Sequence, residues 1–174
     1  VSRRCRRKLR VSGVSVRLTR TGDCALSLEE RTRRAEHWSA DLLVSIHLNA
    51  AANREARGIE TYVLTGAGFA STSGGDPDDT VWPGNRFDRQ SIVLAYDIHR
   101  TLLDLTETPD RGVRRARFQL LRQAGCPAVL VECGFISNRQ EAVRMLDAEY
   151  RDKLAEGIAA GILRYMGRIR AGRN

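Results

Sequence analysis

The sequence predicts an α/β fold, a mostly parallel, twisted sheet flanked by helices on both faces. Three observations predict it. Apolar runs of strand length alternate with amphipathic stretches of helix length along the chain, the pattern of a layered α/β domain. Two of the runs deliver a chemically active side chain to their ends: residues 42–46 lead into His47, and residues 128–131 into Glu132. The 174 residues suffice for one domain with a real core. In an open α/β sheet, ligands bind beyond the carboxyl ends of the strands, so His47 and Glu132 share one site if their strands are parallel neighbours.

Residues 2–12 read as the end of a helix, with Leu9 facing inward and Gly13 as the stop signal. Residues 14–20 read as a strand. Ser27-Leu28-Glu29-Glu30 has capping-box form and opens a helix running to about Trp38. Residues 42–47 form the next strand, and residues 58–64, rich in β-branched and aromatic side chains, a third. Residues 65–88 carry Gly74-Gly75-Asp76-Pro77-Asp78-Asp79 and Pro83-Gly84-Asn85 and read as an irregular loop. A loop of that length in a compact domain is usually functional or disordered. Residues 90–105 form a helix with Ile92, Tyr96, His99 and Leu103 on its apolar face. Residues 116–121 read as a short strand, after which Gly125-Cys126-Pro127 turns into the strand of Glu132. A short helix over 139–146 follows. An amphipathic helix from Tyr150 to about Arg168 closes the chain, with Leu154, Ile158, Ile162 and Tyr165 on one face. No tandem repeat or linker divides residues 1–174.

With 42% hydrophobic and 29% charged residues the chain reads as a soluble globular domain. No apolar run approaches the roughly 18 residues of a membrane helix. The basic residues 3–8 are not followed by the apolar segment of a signal peptide. The net charge of +8 comes almost wholly from arginine, spread along the chain as a solvated surface. A nucleic-acid-binding reading finds no recognised motif, few aromatics (6%) and no basic stripe beyond residues 3–10. Cys5, Cys24, Cys126 and Cys133 form no CxxC pair, which argues against a zinc ribbon and for buried small hydrophobes. Spacing leaves disulfide pairing open.

Of the three histidines, His99 falls on the apolar face of its helix and His37 at a helix end where an imidazolium suits the dipole. His47 differs, because it caps a buried strand, and Asn49 points the same way two residues later. One histidine alone leaves its role as a metal ligand open. Glu132 places a charge at the end of an apolar strand, which needs a partner or a job.

Several strings carry a resemblance: Leu18-Thr19-Arg20-Thr21-Gly22-Asp23, the run from Ala40 through His47 to Ala50, Gly58-Ile59-Glu60-Thr61-Tyr62, Asp110-Arg111-Gly112-Val113, and the run from Pro127 through Glu132 to Asn138. Together they resemble the zinc-dependent N-acetylmuramoyl-L-alanine amidases of the Amidase_3 family over nearly all of the chain outside residues 65–88. The resemblance implies one catalytic Zn²⁺ held by two histidines and a glutamate, with a bound water whose pKa the metal lowers to around 7. His47 matches the second histidine ligand. Glu132 matches the catalytic glutamate, which takes the proton of the water and passes it to the leaving amine. The bond implied is the amide between the lactyl group of N-acetylmuramic acid and L-alanine of the stem peptide. Asn49 is a candidate for binding substrate or for holding its loop, and Arg111 for bracing the Arg111-Gly112-Val113 turn.

The same resemblance implies peptidoglycan as substrate, a periplasmic or cell-wall location, an activator protein, and a monomer when the chain is at full length. It places the loop over 65–88 where it could overhang the site. It also puts the family's first strand, first histidine ligand and glutamate ligand ahead of Val1, so the sheet is expected to lack its first strand and to show an unpaired edge or an apolar groove. A second reading of the function is therefore a wall-binding or regulatory remnant without catalysis.

Overall fold

The computed structural model describes residues 1–72 and 74–172. Helix α1 (Ser2–Val11) turns Cys5 and Leu9, one helical turn apart, into the core and its arginines outward. It ends where Gly13 adopts φ +77°. Helix α2 (Leu28–His37) starts as its sequence suggests, with the Ser27 hydroxyl accepting from the Glu30 amide at 3.1 Å. Strands β1 (Leu43–Asn49) and β2 (Ile59–Leu64) follow. The irregular segment then closes in a short 3₁₀ turn (Pro83–Phe87) that runs into α3 (Asp88–Thr106). Next come β3 (Asp110–Ala116), α4 (Gln119–Arg122), β4 (Ala128–Phe135), α5 (Arg139–Arg144) and the long α6 (Ala148–Ala171).

The sheet order is β1-β4-β2-β3, with β1 parallel to β4, β2 parallel to β3, and β2 antiparallel to β4. The two inner strands are buried at every position, the two outer ones only in part. Alternation along β4 separates two cores. Val129, Val131 and Cys133 join Ile59 and Val63 under α1, α3 and α6. Ala128 and Leu130 join Leu43, Tyr62 and Leu64 under α2 and α4. Helices thus flank both faces. The α3–α6 pair is drawn close by glycine: a Cβ on Gly161 would lie 2.4 Å from the Ile98 Cα, and one on Gly157 2.9 Å from the Leu102 Cα. Beside this contact the fully buried Asp97 receives Arg164 and Arg168 of α6, each at 3.0 Å.

Four sequence expectations change. Residues 14–20 form no strand: Val14, Val16 and Leu18 alternate as a strand would, but a strand requires a ladder, and among the described residues none includes them. Residues 116–121 are not a strand either. The strand lies earlier, over Asp110–Ala116, where three arginines on an outer strand mask the β pattern, and Gln119–Arg122 is helical. Arg111 therefore belongs to β3 rather than to a free-standing turn. The buried face of α3 runs through Ser91, Leu94, Ala95, Ile98 and Leu102, leaving Ile92 and Tyr96 exposed, although His99 is buried as expected. Among the cysteines, Cys24 is exposed and the other three are buried. Cys126 and Cys133 lie in the two separate cores on opposite faces of the sheet, so they do not pair.

Candidate functional site

The site lies on the sheet face of α2 and α4, just beyond the point where that core ends. After Ala128 and Leu130, the next residue of β4 on this face is Glu132, whose Cα partner on β1 is His47 and on β2 is Glu60. The two strands that carry His47 and Glu132 are thus parallel neighbours in direct register. Past His47 the β1–β4 register shifts, and Asn49 pairs with Phe135. The end of β4 is pinned from below by Glu141 of α5, whose carboxylate accepts from the Gly58 amide at 2.8 Å and the Phe135 amide at 2.6 Å. Gly134, at φ +144°, supplies the backbone bend that brings this about. Asn138 caps α5 by accepting from the Gln140 and Glu141 amides, and the Ser137 hydroxyl accepts from the Ala51 amide at 3.0 Å. The Ser137-Asn138 end of the string thus holds the frame of the site.

Glu132 is 9% exposed, and its Oε2 is buried without a hydrogen-bond partner among the described residues. Burial, and secondly the charge of Glu60, push its carboxyl up to about 7. It is therefore poised to exchange a proton near neutrality. His47 is solvent-accessible, and its Nε2 lies 2.8 Å from the Ser45 hydroxyl. Desolvation of the ring, together with Arg31 and Arg20 nearby, lowers its pKa and favours the neutral imidazole. That is the form a metal ion binds.

Glu60 is the residue that its place in the strand did not announce. Buried to 1% exposure, it is held by four donors from three strands. Its Oε1 accepts from Arg111 Nε at 2.8 Å and from an Arg114 terminal nitrogen at 2.6 Å. Its Oε2 accepts from Asn49 Nδ2 and from the Tyr62 hydroxyl, each at 2.9 Å. Burial raises its pKa, but the bonds from Arg111, Tyr62 and Arg114 outweigh burial and leave the carboxyl below its ordinary value. Asn49, on β1, thus reaches across β4 to β2. Its other amide atom, Oδ1, accepts from the Ala50 amide at 2.8 Å, an arrangement that holds the loop. The tyrosine bonded to this carboxylate is pushed up to about 12, by burial first and Glu60 second.

His99 bonds the Thr61 hydroxyl at 3.0 Å through Nδ1 and Asp110 at 2.9 Å through Nε2, tying α3 to β2 and β3. His37 ends α2. The segment after β2 packs along β3, at the sheet edge opposite β1. Thr72 exchanges hydrogen bonds with Arg115, and its carbonyl accepts from Arg114 at 2.9 Å. At the other edge, β1 faces residues 14–23 across a groove of about 1430 Å³. Val14, Val16, Leu18, Val44, Ile46 and His47 are among its walls. His47 is the member of the site that opens onto it.

A tetrahedral zinc site takes at least three protein donors. Among the described residues no cluster of three His, Cys, Asp or Glu side chains is placed to hold a metal ion. His47 offers one donor, and Glu60 is committed elsewhere. The described residues do not complete a zinc site.

The family model described as N-acetylmuramoyl-L-alanine amidase (Amidase_3) matches residues 1–164. The amidase LytC of Bacillus subtilis is 34% identical over 165 residues, which span 95% of this chain and 29% of LytC. An amidase structure from Clostridium difficile 630 superposes with a TM-score of 0.75 at 34% identity, covering 94% of this chain and 81% of that one. The structure of CwlD from Clostridioides difficile in complex with the GerS lipoprotein matches with a TM-score of 0.78 at 27% identity, covering 95% and 82%. The chain spans less than a third of LytC.

Proposed function

The chain belongs to the Amidase_3 family of N-acetylmuramoyl-L-alanine amidases, and from that premise we propose that it hydrolyses the amide between N-acetylmuramic acid and L-alanine in peptidoglycan, outside the cytoplasmic membrane. The observation that carries the reading is Glu132, a buried carboxyl with a free oxygen and a pKa raised to about 7, lying in register with His47. In this role Glu132 draws a proton from the attacking water and returns it to the departing amine of L-alanine. The desolvation that raises its pKa matches it to both steps. No helix among the described residues is long and apolar enough to cross a membrane.

Zinc is proposed as cofactor on family grounds, with His47 as a ligand. Because the described residues do not complete its site, zinc retention is expected to be substoichiometric after dialysis, measured by elemental analysis. A protein partner is proposed by analogy with CwlD in complex with the GerS lipoprotein, and an activating role for it on family grounds.

The test is release of stem peptides from purified sacculi, read by mass spectrometry as new L-alanine amino termini. At saturating zinc, weak release is expected, held down by the incomplete metal site, and Glu132→Gln is expected to abolish it. Binding to sacculi without cleavage, at any zinc concentration, would overturn the amidase reading in favour of a wall-binding role.

A further inference from the structure

Arg111 has more donor capacity than its partners use. Its Nε bonds Glu60, while its two terminal amino groups make no hydrogen bond among the described residues. Its guanidinium carbon sits over the Phe135 ring, 5.0 Å from the centroid, and its side chain is 35% exposed. Arg114 is spent: one terminal nitrogen bonds Glu60 and the other the Thr72 carbonyl at 2.9 Å. One carboxylate oxygen therefore serves two guanidiniums, while Asn49 and Tyr62 occupy the second oxygen. The cluster carries one uncompensated positive charge. The donors it leaves unused are the terminal nitrogens of Arg111, the end-on fork that receives a carboxylate in a bidentate manner.

The position of that fork relative to Glu132 decides what it meets. Glu132 lies on β4, its register partner Glu60 on β2, and Arg111 on β3, successive strands of the sheet. Neighbouring strands are about 4.8 Å apart, so the backbone of Arg111 lies roughly 10 Å across the sheet from that of Glu132. An extended peptide advances at most about 3.5 Å per residue. A stem peptide whose first amide sits at Glu132 and which runs across the strands brings its second residue roughly 7 Å toward β3. The side chain of Arg111 spans the remainder.

We propose that Arg111, oriented by Glu60 and set over the Phe135 ring, binds the α-carboxylate of the second stem-peptide residue, and so determines specificity for the acidic over the amidated form. The inference rests on the amidase reading. Glu60 and Arg114 are positioning residues for this contact.

The experiment is calorimetric titration of the protein at low salt without added zinc, so that neither ligand is cleaved, using two synthetic ligands. One is N-acetylmuramoyl-L-alanyl-D-glutamic acid γ-methylamide; the other is the same compound with its α-carboxylate converted to an amide. The γ-cap leaves the α-carboxylate as the one charge that differs between them. The acid is expected to bind roughly tenfold more tightly, the value of one charge-assisted bidentate contact. Arg111→Gln is expected to remove that preference while still binding the amide, and Arg111→Lys to restore part of the preference. Binding of the amide by Arg111→Gln also reports that the variant is folded. Equal affinity of the unsubstituted protein for the two ligands, or an unchanged preference in Arg111→Gln, would overturn the proposal. If neither ligand binds while sacculi are cleaved, the carboxylate contact fails and the amidase reading stands. If neither ligand binds and sacculi are untouched, both fall together.

Discussion

Glu60 and Glu132 face each other across adjacent strands, and their surroundings drive the two carboxyls in opposite directions. Four donors keep Glu60 ionised despite its burial. Glu132 has burial and the Glu60 charge against it and holds its proton to about 7. Two carboxyls pushed apart in this way are a recurrent means of keeping one charged and one available for proton transfer.

This difference has a consequence for stability in the metal-free protein. The Glu132 carboxyl titrates near 4.5 when unfolded and at about 7 when folded. Between those values the unfolded chain has released a proton that the folded chain still holds. The contribution of Glu132 to stability therefore falls as pH rises through the window and levels off above it. Glu132→Gln cannot ionise and escapes the loss. It is expected to be more stable than the parent by up to about 3 kcal/mol at pH 8 and to match it near pH 4. Urea unfolding at both pH values checks this, and a variant less stable at pH 8 would contradict it.

Replacing Glu60 tests the other half of the pair. Glu60→Ala strips the shared acceptor from Arg111 and Arg114. Because those side chains keep 35% and 28% of their exposure to water, the cost is expected near 2 kcal/mol, below that of a fully buried pair. Glu60→Gln is expected to shift the Glu132 titration downward, since the Glu60 charge is the second cause of its elevation. Urea unfolding of Glu60→Ala reads the first effect and carboxyl NMR of Glu60→Gln the second, and a Glu132 titration that does not move would contradict the coupling.

The α3–α6 contact yields a paired prediction. Gly161→Ala drives a methyl into the Ile98 backbone and is expected to cost about 3 kcal/mol. Gly167→Ala, in the same helix with nothing within 4 Å, is expected to be neutral or to gain up to about 1 kcal/mol of helix propensity. Thermal melts of the two variants side by side suffice, and equal shifts would contradict the close approach.

Cysteine labelling checks the separation of the cores. Cys24 is exposed, while Cys5, Cys126 and Cys133 are buried. Burial pushes their thiols up to about 12, about 11 and about 12. A thiol reagent is expected to modify one cysteine in the native protein and all four in urea. Recovery of only two in urea would mean a disulfide.

His47 and Glu132 were legible in the sequence because each ends an apolar run, a signal contained within a few neighbouring residues. Their parallel pairing stood only as a condition for a shared site, and their register was not legible at all. Glu60 was hidden for the converse reason. Within residues 58–64 it is one acid in an apolar strand, and what gives it meaning is Arg111 and Arg114, which lie 51 and 54 positions away. Residues 14–20 show a limit of another kind. Alternation of Val14, Val16 and Leu18 satisfies the local rule for a strand, but strand formation is decided by a hydrogen-bonding partner that no local rule can see. The helix over Asp88–Thr106 was visible, but its phase was not, because apolar residues lie all round it and several patterns fit.

The alternation along β4 sorts substitutions by parity. At odd positions, Val129, Val131 and Cys133 are packed under α3 and α6, so a change there is read out as folding. At even positions the strand passes from Ala128 and Leu130 to Glu132, so a change at the end of that row falls on the candidate site. A single residue inserted upstream in β4 would exchange the two rows, sinking the carboxylate into the hydrocarbon core and presenting valine to the substrate. The reading frame of the strand, more than any one side chain on it, is what selection for this site must protect.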